Sequence, residues 1–229
     1  MASPAERHSA SLSLEGFSCK RKAQTEVMSI VLITGVILSL VSAAYFWGVP
    51  LIDKRTSVSS FTVAEQFVKD LDGRVVALAN AGSGTFSLDV PQGSVIAVSE
   101  GASGPNNNSI LLRYESGQPL ALNATTVYLG GGSFKDVGSE VGAFGQAKPG
   151  VITLSSAGFA GSYVNTVRLR YRELDTDTAP GKGYKIALAA GKATGTGVVR
   201  VGFSKTETLA GAAANGGDLV KTTLTVDVS

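Results

Sequence analysis

The side chains able to do chemistry are few, and their types narrow what this chain can catalyse. There is one histidine, His8, and one cysteine, Cys19. A lone imidazole cannot build a multi-histidine metal site, and a lone thiol gives neither an intrachain disulfide nor a cysteine-based zinc cluster. Glu173, Asp175 and Asp177 lie close together before Pro180-Gly181. They lack the glycine and terminal glutamate of a calcium loop, so the stretch reads as a turn rich in Asp and Thr. Gly191-Lys192 is followed by Ala193 and has no upstream P-loop glycine, and Gly82-Ser83-Gly84 opens no helix. Neither is therefore a phosphate or dinucleotide cradle. No Asp/Glu pair stands out for glycoside hydrolysis. Arg168, Arg170 and Arg172 alternate with Val167, Leu169 and Tyr171. Such a row reads as a solvated strand face or a charged guard on an edge, the other option being an acidic neighbour across a subunit contact. Asn107-Asn108-Ser109 and Asn123-Ala124-Thr125 are glycosylation sequons in polar stretches. A net charge of +2 with 17% charged residues leaves no electrostatic footprint for nucleic acid and no disordered charged tail. No catalytic residue, metal ligand or cofactor site is expected.

The elements that would position these residues fall into two kinds. Val27 to Trp47 carries no charge and ends in Tyr45-Phe46-Trp47. At about 1.5 Å per residue a helix of this length reaches roughly 30 Å, the thickness of a bilayer core, and the aromatic cluster sits where an interfacial belt would lie. Lys20-Arg21-Lys22 just before it places the N-terminus in the cytoplasm and the remainder outside, with Lys54 and Arg55 on the far side weakening that assignment. A helix apolar all round must be buried in lipid or in protein. Gly35, Ser39 and Ala43 recur every fourth residue, and Ala44 and Gly48 form a second pair. This small-residue stripe lets helix backbones approach closely, although small residues are common in membrane helices. The residues themselves admit an uncleaved anchor or a secretory signal cut at Tyr45 after Ser42 and Ala44.

Beyond it, Gly48 and Pro50 should bend or interrupt the helix. Phe61, Ala64, Val68 and Leu71 then resume helical spacing opposite Glu65, Lys69, Asp70 and Asp72, with a stop expected at Asp72-Gly73. From Arg74 onward short alternating runs take over. Phe86/Leu88/Val90, Val167/Leu169/Tyr171, Val199/Val201/Phe203 and Leu224/Val226/Val228 each line one face. Further strands are expected at 74–79, 94–98, 109–114, 125–129, 151–154 and 184–189. About ten short strands make the pattern of a β-sandwich. The fold class is therefore α+β: a long N-terminal hydrophobic α-helix followed by an all-β, immunoglobulin-like sandwich.

Lys20-Arg21-Lys22-Ala23-Gln24-Thr25-Glu26-Val27, running straight into the apolar stretch, resembles the class III signal of archaeal type IV pilins. The resemblance covers about residues 20–55. It implies that a prepilin peptidase cuts on the cytoplasmic side after Lys22-Ala23, making Gln24 the new N-terminus. Residues 1–23 would be a leader, 24–72 the helix and 73–229 the outer β-domain. The residue before the cut is Ala rather than Gly, and the acid stands at the third mature position rather than the fifth. Glu26 is that acid. It either pairs with the Gln24 amino group of a neighbouring subunit or, with Thr25 as N-cap, complements the helix dipole. Removing the leader takes away His8 and Cys19. The 20 basic residues lose Arg7, Lys20, Arg21 and Lys22 and the 18 acidic ones lose Glu6 and Glu15, which leaves no net charge.

The resemblance implies a pilin: a membrane-held precursor that becomes the subunit of an extracellular homopolymeric filament serving adhesion. Gly35, Ser39, Ala43 and Trp47 would pack in its helical core, the sequon residues Asn107 and Asn123 would be able to carry glycans, and a membrane platform and ATPase would drive assembly. A subunit of the archaellum, the archaeal swimming filament, shares the same N-terminal logic. A monomeric surface-binding protein that uses the same processing route is the rival from another class.

Overall fold

The computed structural model describes residues 16–100, 107–121, 126–130, 139–159, 161–178 and 180–229, with side chains from residue 26 onward. The chain divides into two compact units, Met1–Ile52 and Asp53–Ser229. Helix α1 runs Gly16–Ala81 and its assignment is unbroken through Gly48 and Pro50. The helix assignment thus continues past Pro50, although proline removes the donor that would have bonded the Phe46 carbonyl. Nor does the helix stop at Gly73. Leu71, Val75 and Leu78 continue the apolar stripe at i+4 and i+3 and are all buried. Burying each removes roughly 1.5–3 kcal/mol of apolar hydration cost, which outweighs the ~1 kcal/mol helix penalty of one exposed glycine. The segment 74–79 is thus helix rather than strand. The stop falls at Gly82, whose φ of 66° permits the left-handed cap and whose N–H donates to the Leu78 carbonyl at 3.1 Å.

After α1 the described residues are β-rich. The strands are β1 Thr85–Asp89, β2 Ser94–Ser99, β3 Ser109–Ser116, β4 Val127–Gly130, β5 Val141–Ala143 and β6 Gly150–Phe159. They continue with β7 Ser162–Tyr171, β8 Glu173–Asp175, β9 Gly183–Ala190, β10 Thr194–Gly195, β11 Val198–Leu209 and β12 Leu219–Val228. They form two six-stranded sheets, ordered β1-β11-β12-β9-β8-β5 and β10-β2-β3-β7-β6-β4. Most neighbours are antiparallel, but β12 pairs with β9, and β5 with β8, in parallel. The long β11–β12 ladder shifts register between Phe203 and Lys205. The expected alternation at β1, β2, β3, β7, β9, β11 and β12 coincides with these strands. Glu173–Asp175, expected in a turn, is strand β8: Glu173 pairs with Lys185 and Asp175 with Gly183 of β9.

One hydrophobic cluster joins three sources. Ala64, Val68, Leu71 and Val75 come from α1, Ile96, Leu112, Val167 and Leu169 from one sheet, and Val199, Val201, Leu224 and Val226 from the other. Two sheets and the C-terminal stretch of one helix therefore share a core, and a long apolar helix precedes a β-rich domain.

Candidate assembly surface

The N-terminal stretch of α1 presents the largest apolar surface of the described residues. Val27 is 61% exposed, Leu38 62%, Phe46 78% and Trp47 85%. The helix is long and apolar enough to cross a membrane, and its most apolar window buries nothing within the chain. Singly exposed apolar residues are ordinary, but a contiguous surface of this kind marks contact with lipid or protein. The stripe residues show how such contact can be dry. A side chain at Gly35 would meet nothing within 4 Å. The Ser39 hydroxyl donates to the Gly35 carbonyl at 2.8 Å, and Thr34 does the same to Ile30 at 2.8 Å. The polar atoms of these two side chains are thus satisfied inside the helix, leaving a neighbouring helix a small, quiet face alongside Ala43.

Lys22, Ala23 and Gln24 lie on α1 by backbone, and their side chains fall outside the described residues. Glu26 is exposed. Thr25 and Glu26 both stand inside α1, which begins at Gly16, so Thr25 is not the N-cap of this helix. A helix end would exist at that point only once the preceding residues had gone.

The sequons separate. Asn123 lies outside the described residues. Asn107 is half-buried in the turn before β3, next to Asn108, which is 5% exposed with φ 47°, and Ser109, which is fully buried. Asn108 was read only as the middle of a sequon, yet it clips the two sheets together. Its Nδ2 donates to the Tyr171 carbonyl of β7 at 2.9 Å and to the Ile186 carbonyl of β9 at 2.6 Å, while its Oδ1 accepts from Leu188 N–H at 2.9 Å. The available sequence signal was an Asn-Asn turn before an apolar run, since asparagine tolerates left-handed backbone.

The arginine row is not a freely solvated face. Arg172 is 2% exposed and its Nε donates to the Lys148 carbonyl at 3.2 Å. Arg170 Nη2 donates to the Ser139 carbonyl at 3.1 Å. Both guanidiniums fasten the segment around β5 to the end of β7. Glu173 likewise serves structure: its Oε1 accepts from Ala214 N–H at 2.7 Å, tying the β11–β12 connection to β8. Burial pushes its carboxyl up, and the neighbouring Asp175 adds to that. A second buried network had no clear sequence signal. Ser156 donates to Asn165 Oδ1 at 2.6 Å and accepts from Ala121 N–H at 2.9 Å, and Asn165 Nδ2 donates to Ser116 Oγ at 2.7 Å. It pins residues 116–121 to β6 and β7. Among the described residues no three His, Cys, Asp or Glu side chains converge as a metal site.

Comparison with protein-family models, with curated proteins and with solved structures finds no match to this chain.

Proposed function

We propose that the chain is the structural subunit of an extracellular type IV pilus-like filament that polymerises through its N-terminal helix and serves adhesion. One observation carries the reading. An uncharged, exposed apolar stretch of helix with a small-residue stripe directly follows Lys22-Ala23-Gln24-Thr25-Glu26. Such a helix is stable in lipid as a precursor. It can leave lipid only by trading those contacts for copies of itself, because water would charge roughly 25 cal/mol per Å² of apolar area. Cleavage after Ala23 would free Gln24 and put Glu26 in the first turn of a new helix terminus, where its charge is favourable. The β-rich domain then forms the outer layer. We read it as an immunoglobulin-like sandwich, because its two sheets share one core; the parallel β9–β12 pair is its departure from a purely antiparallel arrangement.

The prepilin peptidase, the assembly machinery and the membrane belong to the same proposal as partners, with the finished polymer outside the cell. N-terminal sequencing of surface fibres, combined with electron microscopy, tests it. The expected result is a subunit starting at Gln24 in helical fibres. A start at Tyr45, or a chain that stays single in the membrane, overturns it.

A further inference from the structure

Asp72 was expected on the polar side of α1, yet its carboxylate turns inward. Its Oδ1 is sealed from solvent without a hydrogen-bond partner at good geometry, and so is the hydroxyl of Tyr171 at the end of β7. Position 150, the first residue of β6, is glycine, and a Cβ there would collide with Asp72 Oδ1. The strand start is thus shaped to admit the carboxyl. The surrounding core is apolar: Val68, Leu71 and Val75 flank it on α1, each at most 2% exposed. A hydrocarbon side chain would suit this place better, since a buried carboxylate lacking full hydrogen bonding is costly.

We propose that Asp72 is a proton-operated latch between α1 and the start of β6: once its carboxyl takes up a proton, the helix holds more firmly to the sheets. The groups facing it from each packed element are few. Tyr171 faces it from β7 and Lys148 from the segment before β6, while β6 itself has no titratable side chain. The Arg172 guanidinium is turned to the Lys148 carbonyl. On α1, Asp70 pairs with Arg74 at 3.2 Å and Lys69 with Glu65, both at the surface. Burial raises Asp72, and the Tyr171 hydroxyl and Lys148 pull it only partly back. Burial also lifts Tyr171, and the Asp72 charge adds to that, so the phenol remains a donor throughout. When Asp72 is ionised, the Tyr171 hydroxyl can donate toward the carboxylate. When it is protonated, the charge has gone and the acid O–H can in turn donate to Tyr171 Oη.

The sign of the linkage follows. A carboxyl that holds its proton more tightly folded than unfolded contributes stability that is full below the ordinary value of 3.8 and is lost as pH rises through the raised folded-state value. Acid should therefore strengthen this contact, the reverse of a salt-bridged aspartate. The proposal does not depend on the filament reading.

The test compares the full chain with Asp72→Asn in a neutral detergent. Urea midpoints for loss of β-structure are read from pH 7 down to the ordinary carboxyl value of 3.8, and other carboxylates cancel in the difference. The wild type should gain on the Asn variant as pH falls. Parallel profiles overturn the latch. Should Asp72→Asn fail to fold, the wild type still decides. The ¹³Cγ resonance of Asp72 should titrate above 3.8, and Tyr171→Phe should move that midpoint higher. A midpoint at or below 3.8 sinks the proposal.

Discussion

The two stretches of α1 share one helix assignment and have opposite chemistry. From Val27 to Trp47 the apolar residues cover the whole circumference, and every large one is exposed. From Asp53 to Ala81 they form a stripe: Ala64, Val68, Leu71 and Val75 are buried within 2%, while Lys69–Glu65 and Asp70–Arg74 pairs occupy the water side. The difference shows where each stretch finds its stability. The second is satisfied within the chain by two sheets, so its pattern is that of a surface helix. Among the described residues nothing covers the first, and a pattern apolar all round is that of a helix in contact with lipid or protein. A single kind of substitution should therefore give different phenotypes in the two stretches.

The largest effect is expected from placing a carboxylate in each. Val75→Asp buries an unpaired charge in the shared core and should cost about 3–5 kcal/mol, enough to unfold a domain of ordinary stability. Val36→Asp should leave the urea midpoint of the β-rich domain unchanged and abolish fibre formation. Denaturation in detergent and electron microscopy of surface material read the two outcomes. If Val36→Asp fibres still formed, the exposed helix would not be the assembly surface.

Next in size is Asn108→Ala, which tests how the second stretch's partner is itself held. It strands the Leu188 N–H and the Tyr171 and Ile186 carbonyls and forces alanine into φ 47°. Losing a buried hydrogen-bonded group costs about 1–3 kcal/mol, and the left-handed backbone adds about 1 kcal/mol. Asn108→Gly should recover the backbone part only. Equal losses in both variants would mean that the hydrogen bonds account for the whole effect.

These positions also show what the sequence makes legible. Strands with one buried face were readable because Val199, Val201, Leu224 and Val226 alternate with polar residues, and the period of two is visible locally. The exposed helix was readable because charge is absent from Val27 to Trp47. The end of α1 was misplaced because Gly73 and Gly82 look alike in sequence. What separates them is whether Val75 and Leu78 find a buried seat, which is decided by the sheets. β8 and β5 were missed because they are three residues long and pair with each other in parallel, leaving no periodicity to detect. Asn108, Arg172 and Asp72 were read as turn or surface residues. Their partners lie at Ile186, Lys148 and Tyr171, and long-range partners of this kind leave no mark on local spacing. Of the proposed assembly surface, the composition and the stripe could be read; the internal satisfaction of Ser39 by Gly35 needed the helix itself.

A smaller effect should come from Gly35→Leu. Among the described residues nothing lies within 4 Å of a side chain at that position, so the urea midpoint of the β-rich domain should not move. Close helix approach would be lost, weakening each helix–helix contact on the order of 1 kcal/mol. Detergent-solubilised chains, followed by crosslinking across a concentration series, should show fewer oligomers. Unchanged self-association would place the contact on another face of the helix.

The smallest effect should come from the water side of the second stretch. Lys69 Nζ lies 2.6 Å from Glu65 Oε1, four residues away along the helix, with side chains 47% and 25% exposed. A pair of this kind is screened by solvent and by salt, and holding two long side chains in one geometry offsets part of the attraction. Glu65→Gln should therefore lower the urea midpoint by no more than about 0.5 kcal/mol equivalent, and by less in high salt. It should leave fibre formation intact, because the residue belongs neither to the buried stripe nor to the exposed apolar helix. A loss of fibres from this one substitution would extend the assembly surface past Ile52 onto the charged face of the second stretch, and the division between the two would have to be redrawn.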